Sequence, residues 1–147
     1  MKLIDTDETI VLVTGASLTA EERDRPLAYR LKAEIDRRGA GHAYRRAVVV
    51  ADIWYLDNRI FHLNPTIAIG GPGANGLSQE LADSLPTVYT SDEQVFVQAD
   101  FEGELKRASL WGVNASFTSA AVDVFITGGF LDDLLNRIWR FRTGVFV

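Results

Sequence analysis

Three short apolar runs constrain the fold of this chain more than any other feature of its sequence. They are Thr9–Val13, Ala47–Ala51 and Thr66–Ile69, and β-branched residues dominate them. A strand that is apolar at every position, and not only at every second one, is typical of a parallel sheet with helices on both faces. The sequence therefore predicts buried strands at these three places.

Between the first two runs, the chain has the spacing of an amphipathic helix. Its apolar positions recur every four residues and are Leu27, Leu31 and Ile35. Gly39 follows them as a stop signal. Pro26 fits only the first turn of a helix, so we expect the helix to begin near Asp24. The alternative is that Thr19–Asp24 forms a short turn of its own.

The second half of the chain predicts further strands. Thr87–Tyr89 follows a short leucine-rich helix and is expected to continue the parallel sheet. Gln94–Phe101 alternates apolar and polar residues, and Arg107–Trp111 follows after a polar connection. This pattern indicates an antiparallel hairpin. Two more apolar stripes at helical spacing come next, with Gly128 and Gly129 between them, and they predict two C-terminal helices.

This order of elements predicts a three-layer α/β sandwich of the flavodoxin or Rossmann type. Its central sheet is expected to be mostly parallel, with an antiparallel hairpin at one edge and helices at the carboxyl end of the chain. The length of 147 residues suits one domain, residues 1–147. In such sheets, ligands bind at the carboxyl ends of the strands, where the strand order reverses.

The glycine-rich loop Gly70–Gly76 lies at that edge and is the sharpest local motif. Its candidate ligand contacts are Gly70, Gly71, Gly73 and Asn75. Glycines before a helix allow backbone amides to approach an anion such as phosphate or carboxylate. However, the loop contains no lysine, and Pro72 removes one donor. The alternative is a tight strand-to-helix turn in which Asn75 caps the helix.

The residues Thr14-Gly15-Ala16-Ser17 resemble the opening of the nucleotide-binding turn in short-chain dehydrogenases. The resemblance covers only these four residues, because the further glycines and the Tyr-x-x-x-Lys pattern of that family are absent. The sequence therefore does not assign the chain to the family. Gly15 and Ser17 stay candidate ligand contacts, because they follow the first predicted strand.

Asp52 and Trp54 follow the second predicted strand and complete the set of candidate ligand contacts. A carboxylate at a strand end can accept a proton or hold a metal, but it can also form a turn with its own backbone. Trp54 can form the wall of a pocket, cover the edge of the core or belong to an interface.

These observations give three hypotheses for function. The first is a small non-catalytic module that binds a polar or phosphorylated small molecule, or a protein partner, at the carboxyl edge of the sheet. The second is an enzyme that uses the same crevice, with Asp52 as acid/base group or metal ligand. The third is a self-associating structural subunit. The sequence favours the first, because no pattern identifies a nucleophile, a metal site or a cofactor, and the cofactor is therefore unknown.

The charge pattern argues against two classes of partner. Residues 80–104 contain seven acidic side chains and no lysine or arginine. Such a segment repels phosphate backbones and anionic lipid, so neither nucleic acid nor a membrane is expected as a partner. The amino-terminal residues become acidic before an apolar signal segment can form, so we expect a cytoplasmic location.

The carboxyl end is more apolar than a solvated end requires. Trp139 closes the last apolar stripe, and Gly144–Val147 follows. These residues can form a contact between two copies of the chain, which predicts a homo-oligomer. The alternative is that the last helix packs on its own sheet.

Overall fold

A six-stranded mixed sheet forms the middle layer of the protein, and the computed structural model describes residues 4–139 of the chain. The strands are β1 (Ile10–Thr14), β2 (Ala47–Ala51), β3 (Thr66–Ile69), β4 (Thr87–Ser91), β5 (Val95–Asp100) and β6 (Arg107–Gly112). Their order is β2-β1-β3-β6-β5-β4. The first four strands in this order are parallel, and β5 is antiparallel to both β6 and β4. The order of β2, β1 and β3 is that of flavodoxin-like sheets.

Helices cover both faces of the sheet. They are α1 (Leu18–Arg23), α2 (Arg25–Arg38), α3 (Asp52–Asp57), α4 (Gly76–Leu81), α5 (Ala115–Thr127) and α6 (Phe130–Ile138), with a 3₁₀ helix at Arg59–Leu63. Buried side chains of α2, α5 and α6 share one core with the sheet, and those of α3 and α4 share a second core on the opposite face. The predicted three-layer α/β sandwich is therefore confirmed.

Strand β1 shows how the sheet separates the two cores. Ile10 and Leu12 belong to the core beneath α2, α5 and α6, whereas Val11 and Val13 belong to the core beneath α3 and α4. All four side chains are almost fully buried. Because successive side chains of a strand point to opposite faces, an unbroken apolar run is needed here, as the sequence predicts.

Strand β2 differs from its prediction. Its run of apolar residues is typical of a strand covered on both faces, but β2 lies at the edge of the sheet and residues 48–51 are only half-buried. Polar groups of α2 bind the first residue of this strand. The Lys32 ammonium donates to the Ala47 carbonyl over 2.7 Å, and Asp36 accepts the Ala47 amide over 2.9 Å.

The expected place of β4 is also corrected. The sequence predicts the β5–β6 hairpin, which is confirmed, and places β4 as a further parallel strand. In the structure, β4 pairs antiparallel with β5 at the edge, and β6 pairs with β3 in the middle of the sheet. The turn between β4 and β5 has Asp92 and Glu93 at φ of 53° and 55°, without the glycine that usually marks such a turn.

The structure contains both alternatives that the sequence leaves open around Asp24, a separate short element before it and a long helix that begins near it. Residues before it form the short helix α1, whose N-cap is Ser17. Helix α2 begins directly after Asp24, with Pro26 in its first turn. At the other end of the chain, Gly128 ends α5 and Gly129, at φ of 93°, precedes α6, as their position predicts.

Trp139 packs within the fold. Its side chain is buried in the core beneath α6, and its indole N–H donates to the Glu8 carbonyl over 2.7 Å. The Arg45 guanidinium lies 5.9 Å from the centre of its ring. This is the alternative in which the last helix packs on its own sheet. The segment Gly144–Val147 lies outside the described residues.

Within residues 4–139, no helix has both the length and the apolar character that crossing a membrane requires.

Candidate functional site

A cleft of about 450 Å³ opens at the carboxyl edge of the sheet, above the ends of β3 and β6. Its walls come from three places in the sequence: the α1–α2 junction, the loop after β3, and the segment that joins β6 to α5. The volume lies in the range of small-molecule sites. The cleft therefore has the size and the position of a ligand site in an α/β sheet.

Asp24 contributes the unusual group of this cleft. The residue is 7% exposed, and its carboxyl makes no hydrogen bond within the described part of the chain, not even as a cap of α2. Burial raises the pKa of the Asp24 carboxyl above its usual range, and the neighbouring Arg23 guanidinium opposes this rise. The Asp24 oxygens are not among the enclosed polar atoms without a partner, so they face the cleft, where a donor group of a ligand can reach them.

Gly70 allows Asp24 to occupy this position. A Cβ atom on Gly70 would lie 2.6 Å from Asp24 Oδ2, and the residue has φ of 115°. The positive φ requires glycine, because an L side chain would strain the backbone there, and the missing Cβ atom leaves room for the Asp24 carboxyl. Close by in the sheet, at the end of β1, the fully buried Thr14 hydroxyl also has no hydrogen-bond partner among the described residues.

An aromatic side chain forms part of the opposite wall. Trp111, near the end of β6, stacks on Phe96 with ring centres 4.2 Å apart. Its indole N–H donates to the Gln98 side chain over 3.0 Å, which fixes the ring. A Cβ atom on Gly71 would lie 3.8 Å from this ring, so the absence of a side chain at Gly71 leaves space beside it. The cleft thus combines a fixed ring with a buried carboxyl.

The amides of the glycine-rich loop are mostly occupied within the protein. The Gly70 amide donates to Leu110, those of Ala74 and Asn75 donate to the Gly71 carbonyl, and that of Gly76 donates to Asp52. Within the described residues, only the amides of Gly71 and Gly73 stay without an acceptor in this loop. The loop therefore offers few donors to an anion, and Asp24 adds negative charge beside it.

Asn75 closes the point where the strand order reverses, between β1 and β3. Its side-chain amide donates to the carbonyls of Val13 and Ile69, and its oxygen accepts the amides of Leu77 and Ser78 at the start of α4. Beside it, a Cβ atom on Gly15 would lie 1.9 Å from the Ala74 carbonyl oxygen. The two loops therefore touch, and no ligand space is left between them.

We call the contact between these two loops the seal. Asp52 lies beside it, and each of its carboxylate oxygens accepts a hydrogen bond from the protein. Oδ1 accepts the Ile53 amide and Oδ2 accepts the Gly76 amide, both over 2.7 Å. These bonds tie the start of α3 to the start of α4. Trp54, two residues after Asp52, is 43% exposed and stacks on Phe61. Neither residue lines the cleft.

The structure therefore brings together only some of the predicted ligand contacts. Gly71 and Gly73 line the cleft, and Gly70 borders it through Asp24. Gly15, Asp52 and Asn75 belong to the seal, and Ser17 caps α1 through the Ala20 amide. Sequence reasoning missed Asp24 and Trp111. The only signal at Asp24 is a carboxylate between two arginines at a helix junction, and this pattern does not reveal that the side chain is buried.

Within residues 4–139, no three histidine, aspartate or glutamate side chains form a cluster able to hold a metal ion. No model of a known protein family matches the sequence, and no curated protein matches it.

Proposed function

We propose that this protein binds a small organic molecule in the cleft above β3 and β6, and that Asp24 receives a cationic or N–H-bearing group of that molecule. The observation that carries this proposal is the carboxyl of the largely buried Asp24, which faces the cleft and accepts no hydrogen bond from the described residues. A ligand amine would supply both the missing hydrogen bond and the opposite charge. Hydrogen bonds of this charged kind are stronger than neutral ones.

The aromatic wall supports a ligand with a planar or apolar part. The ring of Trp111 is held by Phe96 and Gln98, so little freedom is lost when a ligand packs against it. Arg23 is exposed at the rim and can meet an anionic substituent at the far end of the molecule. An amine that carries a ring therefore fits the cleft better than a phosphate, for which the loop offers few donors.

A matched set of probes tests this proposal. Tyramine, 4-ethylphenol and 4-hydroxyphenylacetate share one ring and differ in the group at the end of their short chain. We expect tyramine to bind most tightly by calorimetry and the carboxylate to bind least. Replacement of Asp24 by asparagine should weaken tyramine binding by about tenfold or more, because a charge-assisted bond is lost.

Two glycine variants control for the location of the site. Gly71→Leu would place a side chain in the cleft without a close clash at its Cβ atom, and should abolish binding of tyramine. Gly103→Ala, outside the cleft, also meets no atom within 4 Å and should bind as the wild type does. Equal affinity of the three probes, or full tyramine affinity in Asp24→Asn, would contradict the proposal.

A further inference from the structure

The two edge strands of the sheet are protected to different degrees. At β2, Lys32 and Asp36 occupy both backbone groups of Ala47, and α3 begins directly after the strand. At β4, residues 87–91 carry no charged side chain, and β5 is the only strand within the described residues that pairs with it. Native edge strands are usually guarded by charges, so an unguarded edge is a place where another strand can add.

The backbone of β4 has groups available for such pairing. The Val113 amide, directly after β6, donates to the Gln94 carbonyl, directly before β5. Since backbone groups of a strand point to alternate sides, Phe96 also points its N–H and C=O at β6. Val97 therefore points its N–H and C=O at β4, where it pairs with Tyr89. Because these directions alternate along a strand, Thr90 points its N–H and C=O away from the sheet.

A groove of about 350 Å³ lies between the start of β4 and α6. Its apolar lining includes Val88, Phe101 and Phe130. A strand that adds to β4 would direct every second side chain towards this groove. A helix beside an open strand edge is a common arrangement for binding extended peptides, because the edge supplies backbone bonds and the groove selects side chains.

The charges near the groove indicate which peptide would bind. Arg137 is already engaged at the rim, where it donates to Asp133 and Glu102. Residues 80–104, which include β4 and β5, have seven acidic side chains and no lysine or arginine. Two copies of this edge would repel each other, whereas a basic segment would be attracted. The occupant favoured by these charges is a partner peptide with basic residues.

We propose that the β4 edge and the groove beside α6 bind an extended peptide segment of a partner protein, in which basic and apolar residues alternate, as a seventh strand of the sheet. This interaction surface is separate from the cleft at the carboxyl edge and does not depend on it.

A short fluorescent peptide that alternates valine and lysine tests the proposal with the full-length protein. Its binding is measured by fluorescence polarisation, beside a peptide with glutamate in place of lysine. We expect the lysine peptide to bind at least about tenfold more tightly, because acidic side chains such as Asp92 and Glu93 flank the uncharged edge strand. Thr90→Pro removes one outward amide and leaves the bonds to β5 in place, so it should weaken binding about tenfold. Thr90→Val keeps the amide and should bind as the wild type does.

Three results would overturn the proposal. One is equal binding of the two peptides, and a second is equal binding by Thr90→Pro and Thr90→Val when both variants melt like the wild type. The third concerns a competing occupant, since residues 140–147 of the chain are themselves basic and apolar. If replacement of both Arg140 and Arg142 by glutamine, which adds no negative charge, tightens binding of the lysine peptide, the chain's own end competes for the groove and takes the place that we assign to a separate partner.

Discussion

The carboxyl edge of the sheet has two halves that use similar residues in opposite ways. In the sealed half, which consists of Gly15, Asp52 and Asn75, both carboxylate oxygens and the amide group have protein partners. In the cleft, Asp24 is buried to a similar degree, but its carboxyl accepts no hydrogen bond from the described residues and has only the nearby charge of Arg23. Burial alone therefore does not distinguish a structural acid from a candidate ligand group. What distinguishes them is whether the protein itself satisfies the oxygen atoms.

The sealed half should tolerate substitutions less well than the cleft, and a substitution at Gly15 should lower the free energy of unfolding most. A methyl group at Gly15 would lie 1.9 Å from the Ala74 carbonyl oxygen, which belongs to the backbone and cannot turn away. We expect Gly15→Ala to lower the free energy of unfolding by about 3 kcal/mol or more, measured by urea denaturation. Gly73→Ala, in the loop that lines the cleft, should change it by less than about 0.5 kcal/mol. Similar effects at both glycines would remove the distinction between the halves.

Replacement of Asn75 should give the second-largest loss of stability. Asn75→Ala would leave two carbonyls at the ends of β1 and β3 and two amides of α4 without a partner. We expect a loss of about 3 kcal/mol in the free energy of unfolding, because buried polar groups without partners are costly. Asn114→Ala is the matched control, since Asn114 caps the exposed start of α5 through the Phe117 amide and should cost about 1 kcal/mol.

Replacement of Asp52 tests whether an acid with protein partners at both oxygens also contributes to ligand binding. Asp52→Ala removes the acceptor of the Ile53 and Gly76 amides. We expect a fall of about 1–2 kcal/mol in the free energy of unfolding, with tyramine affinity by calorimetry unchanged. If Asp52→Ala instead removed tyramine binding while the protein stayed folded, the sequence-based candidate would be right and the separation of the two halves wrong.

Among these four positions, replacement of Asp24 should change the free energy of unfolding least, and it should raise that free energy where the others lower it. Since burial raises the pKa of its carboxyl, the folded state is penalised wherever the carboxylate is charged. Asp24→Asn should therefore stabilise the protein at neutral pH, by about 1 kcal/mol. This gain should shrink as the pH falls through the folded-state pKa and vanish near pH 4, where the unfolded carboxyl also becomes protonated. Melting temperatures of both proteins between pH 4 and pH 8 check this, and a gain independent of pH would contradict it.

How much the sequence predicts depends on whether the signal is local. The apolar runs, the β5–β6 hairpin and the two glycines before α6 are local features, and the structure has each of them where the sequence predicts it. The pairing of β6 with β3 joins residues far apart in the chain, so no local pattern specifies it. That error has a second effect, because β4 is left at the edge and not inside a parallel sheet.

The candidate site was harder to predict for the same reason. The sequence directs attention to the loop after β3, where Gly71 and Gly73 line the cleft. Asp24 reaches that loop from the α1–α2 junction, and Trp111 reaches it from β6. Their contribution depends on how the helices and strands pack, which the spacing of residues along the chain does not reveal. Asp52 illustrates the converse, because a polar residue at a strand end looks the same in sequence whether it binds a ligand or an adjacent loop.

The pairing of β3 with β6 also bears on local opening of the sheet. Residues 66–69 and 107–110 form the seam between a unit of three strands, β2-β1-β3, and the consecutive strands β4, β5 and β6. The cleft lies directly above this seam, and its walls come from both sides of it. Parts of a folded protein can open locally without unfolding of the whole chain. A ligand that bridges the two walls would oppose such an opening and would slow hydrogen exchange of the amides along β3 and β6.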